Sequence, residues 1–121
     1  MDASFLEVDV AAIRRNYRRL RDLVGPQTRI CPVIKGNAYG MGATEVGRVL
    51  QQAGASMLAV YDANEALEVL DAGVRCPILV LGPDPCYLRG SNLRGYCNEG
   101  RVHFTVPVSY THLTLPTSHC V

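Results

Sequence analysis

One stretch of this 121-residue chain combines residue types and spacing suited to chemistry: Lys35-Gly36-Asn37-Ala38-Tyr39-Gly40, entered from the apolar run Ile30-Cys31-Pro32-Val33-Ile34. A lysine amine at the end of a strand is suited to form a Schiff base with an aldehyde. It must be neutral to attack, and partial burial favours the neutral form. Gly36 and Gly40 let the backbone take tight conformations close to a ligand. Asn37 and Tyr39 add hydrogen-bonding side chains within one turn of the amine. The five cysteines, Cys31, Cys76, Cys86, Cys97 and Cys120, show no CxxC spacing. They read as free thiols of a reducing compartment, and no metal site is expected. Arg14, Arg15, Arg18, Arg19 and Arg21 fall close together, but acidic residues elsewhere balance them, so they read as a solvated helix face.

The elements that must position Lys35 follow from periodicity. Residues 6–10 alternate as a short strand, and Asp9 sits where a helix N-cap belongs. Ile13, Tyr17, Leu20 and Val24 then recur at helical spacing over residues 11–24, and Gly25-Pro26 stops that helix. Residues 29–34 form a buried strand that ends at Lys35, which places the amine at the C-terminal mouth, where α/β folds keep their sites. Thr44 is suited to cap a helix carrying Val46, Val49, Leu50 and Ala53 on one face and ended by Gly54. A strand over 56–61 follows. The helix over 63–72 turns Ala66, Leu67 and Leu70 inward and closes on Gly73. Strands over 77–81 and 102–106 complete the series. Between them Gly90, Gly95 and Gly100 weaken any helix. Short apolar strands separated by amphipathic helices imply a parallel α/β sheet covered by helices. Both a doubly wound sheet and a (β/α)8 barrel fit this pattern.

The run from Lys35 to Gly40 resembles the cofactor motif of the alanine racemase family. In that motif an apolar strand leads into lysine, a small residue and Asn-Ala-Tyr-Gly. The resemblance extends through Leu6-Glu7-Val8-Asp9, residues 12–17, Ala53-Gly54-Ala55, Glu65-Ala66-Leu67, Ala72-Gly73 and residues 77–82, and covers about residues 5–107. It implies the N-terminal part of a (β/α)8 TIM barrel that binds pyridoxal 5'-phosphate (PLP), truncated after about three to four βα units. Lys35 would form the Schiff base with the cofactor, and Tyr39 would give its hydroxyl to the phosphate. Met41 stands where many members carry histidine. The implied reaction interconverts L- and D-alanine and supplies D-alanine for the cell wall. It uses Lys35 on one face and a tyrosine from the partner subunit of a homodimer on the other. That tyrosine, the arginine at the pyridine nitrogen and the rest of the phosphate site lie in parts of the family fold that this chain lacks. A serine or broad-specificity racemase is the alternative within the fold, and a non-catalytic PLP-binding homeostasis protein is the alternative in another class. The fragment alone, unable to close a barrel, is expected to be inactive.

The tail follows a different grammar. Val108-Ser109-Tyr110-Thr111-His112-Leu113-Thr114-Leu115-Pro116-Thr117 has no helical stripe and no turn logic. It matches the translation of a common transposase sequencing adapter, GTC TCT TAT ACA CAT CTG ACG CTG CCG ACG. Residues 1–107 are therefore expected to be the partial barrel domain and 108–121 a non-native tail, so Tyr110, His112, His119 and Cys120 are set aside as site candidates. In bulk the chain is 48% hydrophobic and 19% charged, which marks it as globular. A net charge of +1 gives no reason to expect a nucleic-acid partner. The N-terminus has no basic or apolar signal region, and no apolar run approaches the ~18 residues of a membrane span. A cytoplasmic protein that acts away from the membrane is expected.

Overall fold

The computed structural model describes residues 3–83 and 91–105. Helix α1 spans Val10–Val24, capped by the Asp9 carboxylate, which accepts from the Ala12 amide at 3.1 Å, and ended at Gly25 with φ of 80°. α2 is a single turn over Lys35–Tyr39, α3 spans Ala43–Gln52 and α4 spans Ala63–Asp71. α5 spans Ser91–Asn98. Strands β1 (Leu58–Val60), β2 (Ile78–Val80) and β3 (Val102–Phe104) lie between the later helices. Burial follows the apolar stripes: Val46, Val49 and Leu50 of α3 and Ala66, Val69 and Leu70 of α4 all face the core. Leu58, Val60, Ile78, Val80 and Val102 are fully buried in the same cluster, so the helices cover one face of the sheet.

The three strands are parallel and adjacent in chain order, with Ala59 level with Leu79 and Leu79 level with His103. A fourth position precedes them. Val33 bridges to Ala59 in parallel, with the Ile34 amide donating to Ala59 at 2.8 Å and the Ala59 amide to Pro32 at 2.8 Å. Leu58 takes its amide bond from the opposite side, to Pro77 of the segment entering β2. The order is therefore 33, β1, β2, β3, four consecutive positions without a reversal. A doubly wound sheet reverses its order near the middle, whereas a barrel arc does not. The arrangement is the opening arc of a barrel.

Several expectations are corrected. Residues 6–9 are not a strand, and Val10 already belongs to α1; Leu6 is 67% exposed, and no described strand lies beside it to complete a ladder. Residues 29–34 pair through one bridge only, because Pro32 has no amide hydrogen to donate and Cys31 is exposed. Leu20 and Val24 are exposed, since no described residue covers the far half of α1. Thr44 is not the cap of α3; Gly42 holds that position. A helix does form through Gly95. Leu93 and Cys97, four residues apart, are fully buried, and their packing outweighs the ~1 kcal/mol propensity cost of the glycine. Cys97 is disulfide-bonded, while Cys31 and Cys76 are free thiols. The expected strand end at residue 106 and the tail over 108–121 lie outside the described residues.

Candidate active site

The turn that carries the lysine is wound left-handed. Gly36 has φ 62° and ψ 40°, Asn37 56° and 46°, and Ala38 56° and 47°. Tyr39 continues at φ 55° and Gly40 at φ 89°. For residues with a side chain this conformation costs roughly 1–2 kcal/mol each, least for asparagine. Such a turn persists only where its surroundings over-determine it.

Here they do. Ala38 is 1% exposed and donates its amide to Ile34 at 2.9 Å, while Gly42 donates to Asn37 at 2.8 Å. The Asn37 side chain reaches forward, its Oδ1 accepting from the Ala43 amide at 2.8 Å. It thereby satisfies one of the orphan donors at the start of α3, a task that local reading gives to Thr44. Asn37, read from sequence as a polar group beside the amine, is thus a structural cap.

The residue that sequence reading missed is Glu65. It occupies the third position of α4, where its own amide donates to Asp62 Oδ1 at 2.9 Å. Its carboxylate spans two neighbouring strand ends. Oε1 accepts from the Tyr61 amide at 2.6 Å, just beyond β1, and Oε2 accepts from Gly36 at 2.7 Å and from Asn37 at 3.4 Å. The only sequence signal for this was the Asp62-x-x-Glu65 spacing of a capping box, in which the glutamate would reach back to the amide of the cap itself.

Lys35 and Tyr39 stand at the two ends of this turn. Lys35 is half-buried and forms no ion pair among the described residues. Tyr39 is 63% exposed. An unpaired amine and an open phenol, fixed on one rigid turn at a strand mouth, fit an aldehyde that also carries a phosphate. The amides of Gly36 and Asn37 are consumed by Glu65, so the phosphate would depend on Tyr39 and on groups outside this segment. Cys76 is no rival nucleophile: it is buried, and burial pushes its thiol above the ordinary range. Among the described residues no cluster of His, Cys, Asp and Glu is able to hold a metal ion. No described helix is long and apolar enough to cross a membrane.

The family described as alanine racemase, N-terminal domain, matches residues 8–106. Alanine racemase of Methanococcus maripaludis is 45% identical over 76 residues, which are 63% of this chain and 20% of that protein. The crystal structure of alanine racemase from Bacillus anthracis with bound L-Ala-P superposes with a TM-score of 0.70 at 36% identity, over 86% of this chain and 27% of that one. Alanine racemase from Bartonella henselae with covalently bound pyridoxal phosphate gives a TM-score of 0.64 at 30% identity, over 80% and 27%. The chain spans about a fifth of the length of the curated relatives it matches.

Proposed function

The chain belongs to the alanine racemase N-terminal domain family, and from that premise we propose that the complete protein carrying it is a PLP-dependent racemase interconverting L-alanine and D-alanine. The observation that carries the reading is Lys35, unpaired at a strand mouth on a left-handed turn that ends in Tyr39. Lys35 would hold the cofactor through its ε-amine, and Tyr39 would offer its hydroxyl to the phosphate. When bound, the cofactor supplies an electron sink for charge at the substrate α-carbon. Lys35 Nζ would take and return the proton on one face of that carbon. Inversion needs a second base on the opposite face, and the reading assigns it to a tyrosine of the second subunit in a homodimer. The protein would act in the cytoplasm and feed D-alanine to peptidoglycan.

The test is racemisation by the purified complete protein with PLP, starting from L-alanine and, separately, L-serine. D-alanine formed much faster than D-serine is the expected result. Equal rates favour the broad-specificity alternative, and no D-product from either contradicts the reading. The 121-residue chain by itself is proposed to be inactive, because an open arc leaves strand edges and apolar surface such as Leu20 and Leu23 uncovered. Residues 108–121 are proposed to be adapter-encoded, which the end of the family match at residue 106 supports. Source codons for 108–117 that differ from the adapter would contradict this.

A further inference from the structure

We infer that Glu65 is a positioning residue for Lys35: its carboxylate staples the left-handed turn to the end of β1 and so fixes where the amine stands. The inference rests on the cofactor reading above, and three observations carry it. First, the turn contains three residues with side chains at positive φ, Asn37, Ala38 and Tyr39, so it needs outside restraint. Second, the restraint at its first two amides, Gly36 and Asn37, comes from one group, Glu65 Oε2, anchored on another helix. Third, Glu65 does not act as an ordinary helix cap. It passes over the Asp62 amide, and its other oxygen takes the Tyr61 amide at 2.6 Å instead. A carboxylate has acceptor capacity on two oxygens for both strand ends, and its charge strengthens each bond. An amide side chain has one acceptor oxygen and serves one end only. Gly36 is the residue next to Lys35, so release of its amide loosens the turn that carries the amine, while the Ile34 amide still holds the preceding strand to Ala59.

The experiment compares E65A, E65Q and D62A with the unsubstituted complete protein. Two readouts are taken: the rate at which added PLP becomes fixable on Lys35 by borohydride, located by peptide mass, and hydrogen-exchange protection of the amides at 36, 37 and 61. Asp62 caps the same helix without touching the turn, so D62A controls for simple loosening of α4. E65A is expected to lose protection at all three amides and to slow capture by about tenfold or more, since the loss of even one of its three charge-assisted hydrogen bonds is worth that factor. E65Q is expected to fall between E65A and the unsubstituted protein, and it decides the matter if E65A does not fold. D62A is expected to capture PLP at the unsubstituted rate. Capture unchanged in E65A, or in E65Q where E65A does not fold, overturns the inference alone, as does D62A slowing capture as much as the Glu65 variants. No capture on Lys35 in the unsubstituted protein overturns the cofactor reading and this inference with it.

Discussion

Glu65 accepts the amide hydrogen of Gly36 at 2.7 Å across a separation of 29 residues, and this bond joins the lysine turn to the next strand end. The same corner contains Tyr61, whose amide holds the other carboxylate oxygen. In the complete protein, substitutions around this corner have separable effects.

Gly82, two residues past β2, packs against that corner. Its amide donates to the Tyr61 carbonyl at 2.7 Å, and a Cβ built on it would lie 2.7 Å from that oxygen and 3.1 Å from the Tyr61 ring. The backbone atom cannot give way cheaply. G82A is expected to destabilise by about 1–3 kcal/mol through overpacking. Urea unfolding checks it, and a variant as stable as the parent would refute it.

Gly47 predicts the opposite sign. It lies inside α3, and a Cβ there meets Ile34, Leu58 and Val74 side chains at 3.5 Å, ordinary contact distance. G47A should fill the space and remove the helix penalty of glycine, stabilising by about 0.5–1 kcal/mol. A lowered unfolding midpoint would contradict this.

Asn37 combines a cap with a left-handed backbone, and two substitutions separate these roles. N37A loses the bond to Ala43 and keeps the unfavourable φ, so it should cost about 1–2 kcal/mol. N37G loses the same bond but relieves the backbone, and it should cost markedly less. Unfolding free energies that are equal for the two would remove the backbone argument.

Much of this was legible in the sequence, and what was not has a physical cause in each case. Asp9, Gly25 and Gly73 act on their own neighbours, so their roles follow from spacing. The lysine motif is contiguous and could be read as one unit. Glu65 could not, because its partners are set by which strand lies beside which, and strand order is not written locally. The place of Thr44 is taken for a nearer reason: the left-handed turn, which spacing does not announce, brings the Asn37 acceptor to the Ala43 amide six residues on. Residues 6–9 alternate as a strand should, yet alternation has no effect without a neighbouring ladder.

Tyr96 predicts a pH dependence. Its hydroxyl donates to Asp71 Oδ1 at 2.8 Å, and that hydrogen bond is the main cause pushing the phenol above its ordinary value. The folded state therefore holds this proton more tightly than the unfolded chain. The associated stability is complete below the unfolded value of about 10 and is lost as pH rises through the raised folded value. Unfolding midpoints followed across this alkaline range should fall in the parent and fall less in Y96F. Parallel curves for the two proteins would contradict the assignment.

Lys35 is proposed to hold the cofactor. Borohydride reduction of the complete protein after incubation with PLP, followed by peptide mass mapping, tests it most directly. One pyridoxyl group is expected, on the peptide containing Lys35, and none after K35A. Label on another lysine, or label that survives K35A, would contradict it.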